Sequence, residues 1–203
     1  MTIPSMFARE DPQALEIWQK STVAIAGAGG LGSVVAVSLA RVGIGRLIIA
    51  DFDVIEPTNL NRQQYFQDQV GMAKVLALQE NLHRINPHSQ YLMHHALVTE
   101  DNIVDLFGEA DIMVEAFDRA DQKEMLIEAW QLLFPDKPII AASGLAGWGK
   151  TDLLHVHQSG NLYVCGDEET ELERNHTPLA PRVGIVANMQ ANIVLELLME
   201  IHK

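Results

Sequence analysis

The stretch "GAGGLGS" places Gly27, Gly29 and Gly32 in a Gly-x-Gly-x-x-Gly spacing, with Gly30 inside the same run. It follows the apolar "TVAIA" and opens the helical pattern "GLGSVVAVSLARVG", the context that gives this spacing meaning. Gly27 permits a tight turn, Gly29 lets a phosphate approach the backbone, and Gly32 lets helix and strand pack closely. The helix N-terminus then offers unpaired N–H groups to an anion. Asp51 closes the next apolar run, "RLIIAD", about 20 residues further on, where a carboxylate can accept hydrogen bonds from a ribose. Together these positions predict a site for an adenine nucleotide. Asp53 is open between a second polar ligand of that loop and a solvated turn aspartate.

The polar stretch "EPTNLNRQ" comes next, where a hydride-transfer enzyme needs no further charge on the nucleotide phosphates. Phosphoryl or nucleotidyl transfer does need it, because negative charge grows on the transferred phosphate and the leaving group. Asn59 and Arg62 in this stretch, with Gln63 beside them, Lys74 at the start of the next helical pattern and Asp118 after the fourth apolar run supply such a set. Each has a plainer reading: Arg62 as a surface ion-pair residue, Lys74 as a solvated helix charge, Asp118 as the N-cap of "RADQKEMLIEAW". Strand ends of an open parallel sheet converge on one crevice, so the distant positions can meet over the glycine loop.

The elements that must position them alternate. A short helix over "DPQALEIWQKS", capped by Asp11 with Pro12 at its first position, leads into strand "TVAIAG" and a helix ending at Gly43. Strand "RLIIAD", helix "MAKVLALQENLHRIN", strand "SQYLMHHALV", helix "TEDNIVDLFG", strand "ADIMVEAF", helix "ADQKEMLIEAWQLLF" and strand "KPIIAAS" follow. This rhythm predicts an α/β fold, a doubly wound and mainly parallel sheet of Rossmann type. The tail departs from it: "GKTDLLHVHQSGNLYVCGD" reads as an antiparallel hairpin turning at "QSGN", "EETELERNHTPLAP" as a surface loop, and "VGIVANMQANIVLELLMEIH" as a closing helix. One domain over 1–203 is expected, with an N-terminal helical segment over 1–20 and the hairpin, loop and final helix over 145–203.

Hydrophobic residues make up 48% and aromatics 6%, so Val, Ile, Leu and Ala must build the core. A formal net charge of −13 without any Lys/Arg run argues against nucleic acid as a partner. No uninterrupted apolar run approaches the roughly 18 residues of a membrane span, and "MTIPSMFARED" lacks a signal-peptide pattern, so no membrane association and a cytoplasmic location are expected. The single cysteine, Cys165, excludes an intrachain disulfide and a multi-cysteine zinc site.

The segments "GAGGLGS", "DFDVIEPTNLNRQQ", "VGMAKV" and "EAFDRADQK" resemble the ThiF/MoeB/HesA group, bacterial relatives of ubiquitin-activating enzymes, over nearly the whole chain. Within the group the likeness is to short ThiF-type adenylyltransferases of thiamin biosynthesis. The resemblance implies that ATP is attacked at its α-phosphate by the C-terminal glycine carboxylate of a small ubiquitin-fold sulfur carrier, releasing pyrophosphate. It implies nucleotide contacts at Asn59 and Arg62, a phosphate lysine at Lys74 and an Mg²⁺-binding aspartate at Asp118. A homodimer is expected, and Arg9 corresponds to an arginine reaching across to the partner's site.

The sequence also departs from that pattern. Only Cys165 stands near the family's two zinc-holding Cys-x-x-Cys pairs, so no structural zinc is expected. A cysteine that some members link covalently to the carrier corresponds to His176, and imidazole cannot form an acyl disulfide. Adenylation without sulfur transfer is therefore expected, with Cys165 a buried structural thiol. His155 and His157 share a strand face but lack a third ligand in the sequence, and read, like His94 and His95, as sheet-surface residues. Gly144, Gly147 and Gly149 around Trp148 either leave room for a glycine-ended carrier tail or simply make turns. Other readings stay open: a molybdopterin-type carrier, a tRNA threonylcarbamoyladenosine dehydratase, a nicotinamide-dependent oxidoreductase, or a nucleotide-binding scaffold without catalysis.

Overall fold

The computed structural model describes residues 5–170 and 177–202, so His176 lies outside the described residues. Seven strands form one sheet: β1 (Thr22–Ala26), β2 (Arg46–Ala50), β3 (Gln90–His94), β4 (Ile112–Glu115), β5 (Ile139–Ser143), β6 (His155–Ser159) and β7 (Leu162–Gly166). Their spatial order is β3-β2-β1-β4-β5-β7-β6, and every neighbouring pair is parallel except β6 with β7. The chain winds outward from β1 to β3 and then returns to place β4 against the other side of β1. That reversal makes a topological switch point beyond the C-terminal ends of β1 and β4, where ligands of such sheets bind.

Alternation along each strand divides the core. Val23, Ile25, Leu47, Ile49, Ile112 and Val114 pack on one face with α2 (Gly30–Val42), α3 (Lys74–Ile85) and α6 (Ala180–Ile201). Ala24, Ala26, Ile48, Ala50 and Met113 pack on the other with α4 (Ile103–Phe107) and α5 (Ala120–Leu133). Both faces are covered, which explains the continuous apolar runs of β1, β2 and β4.

Local signals act as read. Asp11 Oδ1 accepts from the Gln13 and Ala14 amides at 2.8 and 3.0 Å to cap α1 (Pro12–Lys20), and Gly43 ends α2 in the left-handed region at φ +89°. The helix expected over "TEDNIVDLFG" is instead a 3₁₀ turn, Glu100–Asn102, followed by α4. Asn102 diverts that backbone: its Oδ1 accepts from the Thr99 amide at 2.9 Å and its Nδ2 donates to the Leu97 carbonyl at 2.9 Å. The hairpin forms, and its second strand extends the sheet parallel to β5, leaving β6 as an exposed edge.

The 22-residue α6 contains an 18-residue window of mean hydropathy 1.3 and so is long and apolar enough to cross a membrane by length and composition alone, although it is not an unbroken apolar run. Interspersed Asn188, Gln190 and Asn192 break the apolar run in sequence while the average stays high. Val183, Val186, Ala187, Val194 and Leu198 on α6 belong to the core.

Candidate functional site

At the end of β1, Gly27 has φ +102°, and a Cβ there would lie 2.7 Å from the Ala116 carbonyl oxygen. Only glycine accommodates that turn against the end of β4. A Cβ on Gly32 would fall 1.9 Å from the Gly27 carbonyl oxygen, so α2 rests directly on the loop. Gly29, by contrast, faces open space, with Gln63 Nε2 the nearest atom to a built Cβ at 3.8 Å. Gly27 and Gly32 thus occupy turn and packing positions, and Gly29 leaves its backbone open.

Asp51 ties this loop to β2. Its Oδ2 accepts from the Ala28 amide and its Oδ1 from the Asp53 amide, both at 2.7 Å. Each carboxylate oxygen keeps lone-pair capacity for a ribose hydroxyl. Tyr65 fixes the loop from beneath by donating its hydroxyl to the Ala28 carbonyl at 2.6 Å; burial, then the Asp51 and Asp53 carboxylates, push its phenol well above the ordinary range.

Lys74 opens α3, and its ammonium reaches Asp53 Oδ2 at 2.7 Å. Arg62 Nη1 donates to Asn61 Oδ1 at 2.9 Å and to the Thr58 carbonyl at 3.4 Å, while its stem lies against Gly30. Gln63 is 7% exposed, and its Oε1 is buried without a hydrogen-bond partner while its amide nitrogen stands by Gly29. Asp118 sits exposed in the turn between β4 and α5. It does not cap α5: the N-cap position is Arg119, which instead pairs with Asp121 at 2.5 Å.

One open cavity of about 650 Å³ at the switch point gathers Gly27, Gly29, Gly30, Asp51, Asp53, Arg62, Gln63, Lys74 and Asp118 in its lining. Gly32, Asn59 and Arg9 are not among the lining residues. Gly32 is packing; Asn59 Oδ1 accepts from the Glu56 amide at 3.1 Å and closes the 3₁₀ turn that presents Arg62; Arg9 is exposed after the first short turn of the chain. Phe52, Leu97, Val98 and Phe117 form an apolar wall suited to a base, and Ser143–Ala146, Thr170, Pro178 and Val183 form the far wall.

Two buried ion pairs frame the cavity, and neither was drawn from the sequence. Glu115, fully buried at the end of β4, is paired with Lys123 of α5. Burial raises its carboxyl above the ordinary range, and the Lys123 charge only partly opposes this. Arg182 on α6 holds Asp167 at 2.5 Å and donates to the Gly149 carbonyl at 2.5 Å. Thr170 also donates its hydroxyl to Asp167. These pairs link positions 8 and 15 residues apart, a spacing that no helical or strand period flags.

Other sequence candidates lie elsewhere. Cys165 is fully buried in β7, and burial pushes its thiol up to about 12. His155 Nε2 lies 3.1 Å and His157 Nδ1 3.4 Å from Glu168 Oε1 on exposed β6, and among the described residues no three such side chains form a metal-binding group. His94 is partly buried with its Nε2 unpartnered, and His95 lies 2.9 Å from the Phe52 carbonyl.

A mainly parallel sheet with a glycine loop, a carboxylate at the end of β2 and cationic groups at its switch point defines a doubly wound nucleotide-binding protein. The chain belongs to the ThiF family, whose model matches residues 5–203. It is 35% identical over 148 residues to the adenylyltransferase and sulfurtransferase MOCS3 of Anopheles gambiae, covering 72% of this chain and 33% of that protein. The chain therefore spans about a third of the length of the curated relatives it matches first. Its fold is similar to that of the E. coli tRNA N6-threonylcarbamoyladenosine dehydratase TcdA in complex with AMP, with a TM-score of 0.85, 21% identity and coverage of 96% and 93% of the two chains. It is also similar to E. coli MccB with AMPCPP and MccA, with a TM-score of 0.74, 23% identity and coverage of 98% and 64%.

Proposed function

We propose that this chain is an ATP-dependent adenylyltransferase that activates the C-terminal glycine carboxylate of a small ubiquitin-fold sulfur carrier, of the type serving thiamin biosynthesis, and releases pyrophosphate. The observation that carries this reading is the convergence of Arg62, Lys74 and Asp118 on the cavity over the glycine loop. A dehydrogenase has no need of such charges there. Family membership and the adenylyltransferase names of relatives such as MOCS3 support the same reading.

In this scheme the base lies against Phe52, Leu97, Val98 and Phe117, the ribose hydroxyls meet Asp51, and the triphosphate lies across Gly29 at the start of α2. Arg62 and Lys74 then stand on the phosphates, where charge grows as pyrophosphate departs. The attacking carboxylate has an ordinary pKa of about 4, is ionised at neutral pH and needs no general base. Catalysis rests on alignment and charge neutralisation. Asp118, an exposed carboxylate on the cavity wall, is the residue that would hold a hard divalent cation accompanying the nucleotide. Mg²⁺ held there supplies further positive charge to the phosphates.

The carrier tail is assigned to the far wall, which Gly144 lines at φ +72° and which the chain leaves through Gly147, at φ +76°, and exposed Trp148. A Cβ on Gly144 would fall 1.9 Å from Asp167 Oδ1, so this wall requires glycine where it packs on the buried Asp167–Arg182 pair. A buried Cys165 thiol at about 12 is not a thiolate at neutral pH, so the sulfur is not passed through Cys165. A homodimer in which Arg9 serves the partner's site belongs to the same proposal. ATP–pyrophosphate exchange tests the reading. Exchange that requires a Gly-Gly-ended carrier is expected; nicotinamide dinucleotide binding without exchange, or adenylation of tRNA in place of a carrier, would overturn it.

A further inference from the structure

The turn 116–119 that carries Asp118 is braced by a charge pair outside the proposed chemistry. Glu115, at its β4 end, accepts from the Phe117 amide through Oε1 at 2.7 Å and receives the Lys123 ammonium on Oε2. Lys123 comes from the first turns of α5, and its side chain, one-quarter exposed, lines the cavity. The pair therefore spans the turn from both sides, with Asp118 between. From the third side, Gln190 Nε2 of α6 donates to the Glu115 carbonyl at 3.0 Å and to the Ile140 carbonyl at 3.2 Å.

A charge pair this buried adds little stability over an apolar pair of equal volume, because desolvation offsets the attraction. What it does supply is geometry. Among the described residues no side-chain hydrogen bond or ion pair clamps the Asp118 carboxylate, and its charged neighbour, Arg119, is itself paired with Asp121, so its aim depends on the backbone of the turn. Loss of a group that orients a ligand carboxylate without touching the cation typically costs about 10–100-fold in metal affinity.

We propose that Lys123 is a positioning residue: anchored on Glu115, it fixes the 116–119 turn so that Asp118 faces the glycine loop and can hold the divalent cation that accompanies a bound nucleotide. The inference rests on the nucleotide site of the proposed function, not on the identity of the carrier. A direct phosphate contact by Lys123 would strengthen nucleotide binding with or without the cation. A positioning role strengthens only the cation-dependent part.

Calorimetric titration of the full chain with AMPCPP, in excess EDTA and in Mg²⁺, separates the two. The wild type is expected to bind more tightly in Mg²⁺. In Lys123→Met this Mg²⁺ increment is expected to fall by about tenfold or more, with affinity in EDTA held within about twofold and Lys123→Arg restoring the increment. Lys123→Met leaves a buried carboxylate unpaired, so Glu115→Gln/Lys123→Gln, a neutral hydrogen-bonding pair, is measured beside it and decides if the single variant does not fold. An unchanged increment in folded Lys123→Met, or in the Glu115→Gln/Lys123→Gln variant where Lys123→Met does not fold, or equal losses in EDTA and in Mg²⁺, would overturn the proposal. Failure of the adenylation reading shows separately, as absent carrier-dependent exchange with the wild-type increment intact.

Discussion

Lys74 Nζ lies 2.7 Å from Asp53 Oδ2, with the lysine side chain 8% exposed and the aspartate 46%. The ammonium is thus held at the cavity wall by a carboxylate that water still reaches. A half-solvated partner contributes little stability, and a bound triphosphate can replace it as the counter-charge. Lys74→Met is therefore expected to lower the exchange rate by about 10²–10³-fold, the usual loss for one preorganised charge at a reacting group. Asp53→Asn, which keeps the loop's size and leaves the lysine in place, is expected to cost less than about tenfold. Comparable losses from both variants in steady-state exchange would mean that Asp53 itself acts on the nucleotide.

Two glycines of one motif separate packing from ligand space. A methyl group at Gly32 collides with the Gly27 carbonyl oxygen at 1.9 Å, so Gly32→Ala must push α2 off the loop. Overpacking of this kind costs about 1–3 kcal/mol and here also displaces the phosphate cradle. At Gly29 the nearest atom is Gln63 Nε2 at 3.8 Å, and the backbone sits at φ −79°. Gly29→Ala should melt within a few degrees of the wild type yet bind ATP much more weakly, because the added methyl occupies space meant for phosphate. Differential scanning calorimetry paired with ATP titration reads both. Normal ATP affinity in Gly29→Ala would place the triphosphate elsewhere.

The parts of this site legible in sequence are those set by local rules. Glycine spacing, the carboxylate ending β2 and the polar stretch before α3 mark positions whose place follows from strand–turn–helix geometry, and the cavity gathers Asp51, Arg62, Gln63, Lys74 and Asp118. Asn59 shows the limit of that reading. Its type suits a phosphate contact, but a short amide at the end of a 3₁₀ turn finds the Glu56 amide first. Glu115–Lys123 and Asp167–Arg182 were not legible because both depend on which side chains meet once separate elements pack. The hairpin was legible as a hairpin, whereas the parallel pairing of β7 with β5 depends on a crossover that no local pattern specifies.

Cys165 gives a chemical check on the absence of sulfur transfer through this chain's thiol. It is fully buried, and desolvation of the thiolate moves its pKa from an ordinary 9.0 to about 12. The native protein at pH 8 should therefore resist a thiol-reactive disulfide reagent, with labelling complete only in denaturant. The linkage has a definite sign. Because the folded pKa is raised, this contribution to stability is fully present below about 9 and is lost as pH rises toward about 12. Cys165→Ala should accordingly lose less stability than the wild type between those values in denaturant titrations. Rapid stoichiometric labelling of the native protein would show that the thiol is accessible.

The Asp167–Arg182 pair makes the opposite prediction at acid pH. Burial alone would raise the Asp167 carboxyl, but hydrogen bonds from Thr170 and Glu169 and the Arg182 charge outweigh it and bring the carboxyl below its ordinary 3.8. A depressed folded pKa stabilises the protein fully above about pH 4, and this contribution disappears as pH falls through the lowered value. Asp167→Asn should therefore be less stable than the wild type at pH 7, with a shallower decline in stability from pH 4 to pH 2. Arg182→Met strands the buried carboxylate and is expected to destabilise by about 3–5 kcal/mol, the range for breaking a buried pair from one side. It should also release the Gly149 carbonyl that Arg182 Nη1 holds at 2.5 Å, and so loosen the wall assigned to the carrier tail. The expected result is a raised KM for the carrier in exchange assays, with ATP affinity little changed because no nucleotide contact is touched. A variant as stable as the wild type would show that the pair is solvated, and an equal loss of ATP affinity would show that the far wall and the nucleotide site move as one unit.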